Sequence, residues 1–272
     1  MKTDMINKDV FISKLKEEGV SEATLKCYLT RIKKIQDWLC GKDINSDTLE
    51  QFKKYMIANF KPKTVCVTIA AINRWLEFSE RPERLKNIKL PKETFRDNVL
   101  SYEDYKKMLR YCLTSTHMQS GFRYYCIIKV LGTTGIRISE LQKITYDDYK
   151  RGYADIISKA NHARRVFIPE DTCAAALQYC DRYKKNNISW VNNPSRSIGK
   201  ELKIIADLAG VNPDNVYPHA FRHLFAKKFL EKNSDISLLA DILGHQSINT
   251  TQIYTRKTSS EQEQAFRNIV KW

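Results

Sequence analysis

LLADILGHQSINTTQIYTR, residues 238–256, is the stretch from which the rest of the chain is best read. Ser237–Leu243 has the spacing of a short apolar helix, and Gly244 is the residue type that ends one. His245 follows at once, and Tyr254 comes nine residues later at the end of Asn249–Tyr254, a further helical candidate. Any one of 14 tyrosines is a core or surface residue by default, so this pair means little without partners.

The partners lie upstream. YPHAFRHLFAKKFLEK, residues 217–232, reads as a helix over Ala220–Lys232 whose start is fixed by Pro218. At 100° per residue His219, Arg222, His223 and Ala226 share one face, while Phe221, Leu224 and Phe225 take the opposite one. Imidazole, guanidinium and imidazole thus stand near a positive helix N-terminus, a face that suits a phosphate. LGTTGIRISELQKI, residues 131–144, places Gly135 after the apolar helix Phe122–Thr134, Arg137 at the turn and Glu140 one helical turn on.

Composition narrows the partner. The chain has 272 residues with 46 Lys+Arg against 31 Asp+Glu, a formal net charge of +15. Cut near residue 95, the chain carries 19 basic and 13 acidic residues before the cut and 27 and 18 after it. The excess is present in both parts, as in a protein that grips DNA from two sides with salt-sensitive affinity. Hydrophobic residues at 42% support real cores, and only 9 Gly and 7 Pro favour helices over a turn-rich β architecture. The seven cysteines, at 27, 40, 66, 112, 126, 173 and 180, form no C-x-x-C pair and suggest neither a disulfide framework nor a zinc site. MKTDMINKDVFISK lacks the apolar core of a signal peptide, and no run approaches the roughly 18 apolar residues of a membrane span. The expectation is a cytoplasmic protein with no membrane association, no metal and no cofactor.

Helical periodicity divides the first part into Lys8–Glu18, a helix after Ser21 running to Gly41, one capped by Ser46 or Asp47, and Lys63–Glu80, with Trp75 anchoring the core. Pro82 and Pro91 then bracket a charged, non-periodic stretch. The domain expectation is therefore a helical DNA-binding domain over 1–82, a linker over 83–99 and a second domain over 100–272. In that second domain Tyr102–Thr114 and Phe122–Thr134 read as helices. Ile144–Tyr149, Tyr153–Ser158 and Arg164–Ile168 read as a small three-stranded antiparallel sheet. Thr172–Lys185 and Ser195–Ala209 are further helical candidates, and Ala265, Phe266, Ile269 and Val270 mark a helical face in the tail.

Together TGIRISEL, HAFRH and LGHQSINTTQIY, in this order and at these separations, resemble the tyrosine recombinase (phage integrase) family. The resemblance covers nearly the whole chain, the first four helices being similar to the family's core-binding (SAM-like) domain. It implies a mainly α protein, with a mostly helical catalytic domain built around the small sheet. It also implies roles. Tyr254 is the nucleophile that forms a 3′-phosphotyrosine link and frees a 5′-hydroxyl. Arg137 and Arg222 clamp the non-bridging oxygens, His219 handles the tyrosine proton and His245 donates to the phosphate. Glu140 and His223 support the site. The family's general-acid lysine, on the turn between the second and third strands, matches Lys159, although Ser-Lys-Ala-Asn replaces the frequent Gly-Lys-Gly.

Arg164, Arg165, Lys63 and Arg74 are expected DNA contacts. The expected partner is double-stranded DNA with an inverted-repeat core site, bound by a homo-oligomer that forms a tetramer in the synapse through its tail, with an accessory directionality factor. A mobile-element or prophage recombinase is the leading expectation. A Xer-type resolvase, a DNA inversion enzyme, a topoisomerase and a catalytically silent DNA-binding regulator are the alternatives.

Overall fold

The computed structural model describes residues 8–90, 99–114, 118–157, 163–183, 195–245, 248–251, 254 and 259–270. The chain divides into two compact units, Met1–Lys92 and Glu93–Trp272.

The first unit contains α1 (Lys8–Glu17), α2 (Glu22–Leu39), α3 (Ser46–Asn59) and α4 (Pro62–Phe78). Ser21 caps α2, its hydroxyl accepting from the Thr24 amide at 3.3 Å. Asn45, one residue before the expected cap, starts α3: its side chain accepts from the Thr48 amide at 2.9 Å while Thr48 accepts from the Asn45 amide at 3.0 Å. This reciprocal pairing satisfies two amides that a helix start leaves orphaned. Phe11, Leu15, Ile35, Phe52, Met56, Val65, Ile72, Trp75 and Leu76 fill the core. Residues 83–90, expected as linker, begin by packing on this unit: Leu85 is buried and trades backbone hydrogen bonds with the Asn73 amide at 2.9 and 2.8 Å.

The second unit runs α5 (Tyr102–Thr114), α6 (Met118–Thr134), α7 (Ile138–Leu141), α8 (Tyr146–Arg151), β1 (Tyr153–Ile157), β2 (Ala163–Phe167), α9 (Glu170–Arg182), α10 (Ser195–Leu208), a 3-10 turn (Pro213–Asn215), α11 (Pro218–Lys232), α12 (Ile236–Leu243), α13 (Ile248–Thr251) and α14 (Ser259–Ile269). Its main core gathers Met108, Ile127, Val130, Leu131, Leu141, Ile144, Leu202, Phe221 and others. A second small cluster joins Ala226, Leu239, Leu243 and Tyr254. Among the described residues no helix is long and apolar enough to cross a membrane.

The fold is mainly helical with a small antiparallel sheet, as expected, but the described sheet has two strands rather than three. β1 and β2 pair antiparallel, with Asp155 opposite Arg165 and Ile156 opposite Arg164. The stretch Ile144–Tyr149, expected as the first strand, leads into α8 instead. Thr145 caps α8, and the Asp148 carboxylate accepts from the Thr145 amide at 2.8 Å. Ile144, Asp148 and Tyr149 are the buried positions, which is helical spacing rather than alternation. Gly152, at φ 78, then turns the chain into β1.

Candidate active site

Three segments converge on the C-terminal end of α12. The last carbonyls of a helix have no partner within it and carry the negative end of its dipole. Here each of three successive carbonyls takes a guanidinium. Arg164 Nε donates to Ile242 O at 3.2 Å, Arg222 Nη2 to Leu243 O at 2.6 Å and Arg137 Nη2 to Gly244 O at 3.3 Å. Gly244 closes the helix at φ +65, and a Cβ there would come within 2.6 Å of Arg164 Cδ. Both the backbone conformation and the close approach therefore require glycine.

Arg137 sits at the start of α7, just after Gly135 turns the chain out of α6 at φ +61. Glu140, three residues on, folds back. Its carboxylate accepts from the Arg137 amide at 3.1 Å and from Arg137 Nη1 at 2.9 Å. The same carboxylate takes a two-pronged bond from Arg164, Nη1 at 3.0 Å and Nη2 at 2.8 Å. Burial opposes ionisation of Glu140, but the hydrogen bonds and charge of Arg164, helped by Arg137, outweigh it and hold the carboxyl down at about 2. Against an unfolded value of 4.5, this stabilisation is whole above pH 4.5 and is lost as the pH falls towards 2. Glu140→Ala leaves two guanidiniums without their carboxylate and is expected to cost about 3–5 kcal/mol, read as a lowered midpoint in urea unfolding at pH 7.

Arg222 is the largest fully buried side chain among the described residues, 1% exposed. It donates from Nη1 to Gly135 O at 2.9 Å and from Nη2 to His245 Nε2 at 2.8 Å, besides Leu243 O. Burial first, and then the Arg137 charge, lower its pKa to about 10, so it stays a cation at neutral pH. The helix α11 is thus buried on both faces: Phe221 and Leu224 enter the main core, and Ala226 enters the small one.

A guanidinium only donates, so His245 Nε2 accepts. His245 Nδ1 lies 2.8 Å from Thr251 Oγ1, which makes the neutral ring with its proton on Nδ1 the state that satisfies both contacts. Burial, and then the charges of Arg222, Arg137, Arg164 and His219, lower its pKa to about 4. With an unfolded value of 6.5, the unfolded chain takes up this proton first as the pH drops. Stability from this group is full above pH 6.5 and declines between 6.5 and 4, a slope that His245→Gln is expected to flatten in unfolding measured across that range.

Tyr254, 8% exposed, packs in the small cluster. Its ring meets His223 edge-on at 4.8 Å and lies nearly parallel to His245 at 5.9 Å. Tyr254 favours the Arg222 charge, against the burial that opposes it. His219 is exposed, with its ring 6.3 Å from that of His223.

The structure therefore brings together Arg137, Glu140, Arg222, His223, His245 and Tyr254, with His219 beside His223. Lys159 lies outside the described residues. Arg164 belongs inside this cluster, where sequence reasoning had it as a DNA contact. Arg165 is on the open face of β2, paired with Asp155 at 2.9 Å and stacked 4.0 Å over Tyr153. In the first unit Lys63 is exposed, and Arg74 is held by Glu18 and by Glu77 at 2.6 Å. Thr251, fully buried against His245, went unnoticed in the sequence; its place three residues before Tyr254 was the available signal. Three guanidiniums, two of them on the one carboxylate of Glu140, leave a net positive site beside a phenol, a charge balance suited to an anion.

Comparison with known proteins gives the family of the chain. Residues 98–261 match the model of the phage integrase family. Tyrosine recombinase XerD of Rickettsia bellii is 26% identical, with 92% of this chain and 93% of that protein covered. Tyrosine recombinase XerA of Pyrococcus furiosus is 27% identical, with 94% and 91% covered. Among solved structures, the XerH site-specific recombinase bound to palindromic difH substrate in a post-cleavage complex superposes with TM-score 0.72 at 19% identity, covering 98% of this chain and 90% of that one. A lambda integrase (75–356) dimer bound to a COC′ core site gives 0.67 at 18% identity, covering 90% and 93%. These two likenesses concern the fold. With its family model spanning more than half of its length, the chain belongs to the phage integrase family, the tyrosine recombinases.

Proposed function

We propose that this protein is a site-specific recombinase that cleaves and rejoins duplex DNA through a covalent bond between Tyr254 and a 3′-phosphate. The observation that carries this reading is the trio of guanidiniums at the end of α12, balanced by one carboxylate and adjoining the buried phenol. In the forward step Tyr254 Oη attacks the scissile phosphorus and the bond from phosphorus to the 5′-oxygen breaks. The phenol proton leaves through the histidines beside it, with His219 as the acceptor, and Lys159 supplies a proton to the departing 5′-oxygen. Attack by a 5′-hydroxyl reverses each transfer, so the bond energy is conserved without a nucleotide cofactor.

Arg137 and Arg222 stabilise the charge that builds on the non-bridging oxygens, where planar forks fit best. His245 faces Arg222 with its Nε2 lone pair. A hydroxyl both donates and accepts, so Thr251 can reverse its bond to Nδ1 and let Nε2 carry the proton to a phosphate oxygen.

The solved neighbours include complexes with difH, COC′ and Tn1549 transposon-end DNA, which supports duplex DNA with an inverted-repeat core as the partner. The tail helix α14 leaves Phe266 64% exposed, which supports tail-mediated assembly into a tetramer. The transposon and lambda integrase likenesses fit a mobile-element role with an accessory directionality factor. The XerD and XerA relatives favour the Xer-type resolvase as the second reading.

Detergent trapping of covalent adducts on genomic DNA of the source cell, followed by sequencing of the attached fragments, tests the proposal. Adducts at one or a few inverted repeats are expected. Scattered adducts would make the protein a topoisomerase, and none, with binding intact, a silent regulator.

A further inference from the structure

Two neighbouring arginines on β2 have opposite fates. Arg165 faces outward, its side chain 48% exposed and paired with Asp155. Arg164 lies on the inner face with Val166, its side chain 8% exposed. All three of its nitrogens are engaged: Nη1 and Nη2 on the two oxygens of Glu140, and Nε on Ile242 O. Its side chain also runs across Gly244, whose Cβ it would not tolerate.

We propose that Arg164 is a positioning residue that acts through Glu140 on Arg137, and that it does not contact DNA. This rests on the reading of the site as one that cleaves phosphodiesters. The Glu140 oxygen Oε1 accepts from Arg137 Nη1 at 2.9 Å and from Arg164 Nη1 at 3.0 Å, so one atom joins the two guanidiniums. The last torsion of a glutamate is soft, and a two-pronged planar partner is what fixes the plane of its carboxylate. With that plane fixed, Arg137 Nη1 has one place to go. The charge of Arg164 also offsets that of Glu140. Without Arg164, Glu140 would neutralise Arg137 alone and weaken its hold on an incoming phosphate. The bond to Ile242 O ties the same network to the turn that carries His245.

The test uses nicked duplexes built on the inverted repeat recovered from the genomic adducts, so that the cut strand escapes and the intermediate accumulates. One duplex has an ordinary scissile phosphate, and the other a methylphosphonate, which replaces one charged oxygen with a methyl group. On the ordinary duplex Arg164→Ala is expected to cleave about 10²-fold more slowly in a single turnover, with DNA affinity within about twofold of wild type. Arg164→Lys recovers little, because an ammonium cannot make two parallel bonds to a carboxylate. On the neutral duplex the deficits of Arg164→Ala and Arg137→Ala relative to wild type both shrink, since the charge that Arg137 holds is gone.

An Arg164→Ala deficit of the same size on both duplexes would overturn the inference. So would a fall in DNA affinity whose salt dependence is shallower by about one counterion, the mark of a phosphate contact. Should Arg164→Ala fail to melt cooperatively, Arg164→Lys and the double variant Glu140→Gln/Arg164→Met provide the same comparison. Absence of cleavage by wild type on the ordinary duplex would reject the recombinase reading, and the inference with it. Wild-type cleavage with an unchanged Arg164→Ala deficit rejects the inference alone.

Discussion

Tyr254→Phe is expected to bind duplex DNA as wild type does and to form no covalent adduct. The ring sits in a cluster with Ala226, Leu239 and Leu243, against His223 at 4.8 Å and His245 at 5.9 Å, and phenylalanine preserves all of that packing. What is lost is one hydroxyl, and at most a polar contact with the Arg222 charge. A hydrogen bond to a charged group contributes about 1.5–3 kcal/mol, too little to unfold a domain of this size. Chemistry fares differently, because an aromatic carbon cannot attack phosphorus. Gel-shift affinity and detergent-resistant adducts, measured on the same duplex, separate the two effects. Adduct formation by the phenylalanine variant would place the nucleophile elsewhere.

Arg222→Ala is expected to damage both fold and chemistry. Its guanidinium satisfies Gly135 O, Leu243 O and His245 Nε2 from a site 1% exposed. Truncation leaves three acceptors, each costing about 1–3 kcal/mol if buried and unpaired, and a void between two apolar clusters. Cleavage at saturating DNA should fall by at least the 10²–10³ typical of a lost oxyanion donor. Arg222→Lys is expected to regain part of the stability but little of the rate, because one ammonium cannot reach three acceptors and clamp a phosphate. Urea unfolding and single-turnover cleavage read the two losses separately. Near wild-type cleavage by either variant would remove Arg222 from the site.

Much of this organisation was legible from periodicity and end signals. The apolar stripes of α2 and α4, the glycines after α6 and α12, and Pro218 at the start of α11 each act locally, so local sequence reveals them. The failures have equally specific causes. Ile144–Tyr149 alternates apolar and polar residues over too short a run to separate strand from helix, and the pairing of Thr145 with Asp148 decided for helix. Arg164 was read by its charge alone. Alternation in β2 puts it on the same face as Val166, and its partners there, Glu140 and Ile242, lie 24 and 78 residues away in sequence. Helical geometry put Arg222 on a polar face, yet no local pattern shows that this face is roofed by α12 and Tyr254. Thr251 escaped notice because a threonine in a polar stretch is ordinary until its hydroxyl is seen 2.8 Å from His245.

The central claim, that Tyr254 carries the DNA strand by its 3′-phosphate, is tested most directly on the trapped intermediate itself. Protease digestion of the adduct, mass spectrometry of the nucleotide-linked peptide and end-labelling of the released strand identify both the residue and the polarity. The expected result is a DNA strand joined through its 3′-phosphate to the peptide containing Tyr254, with a free 5′-hydroxyl on the released strand. A nucleotide on any other residue, or a linkage through the 5′-phosphate, would contradict the account.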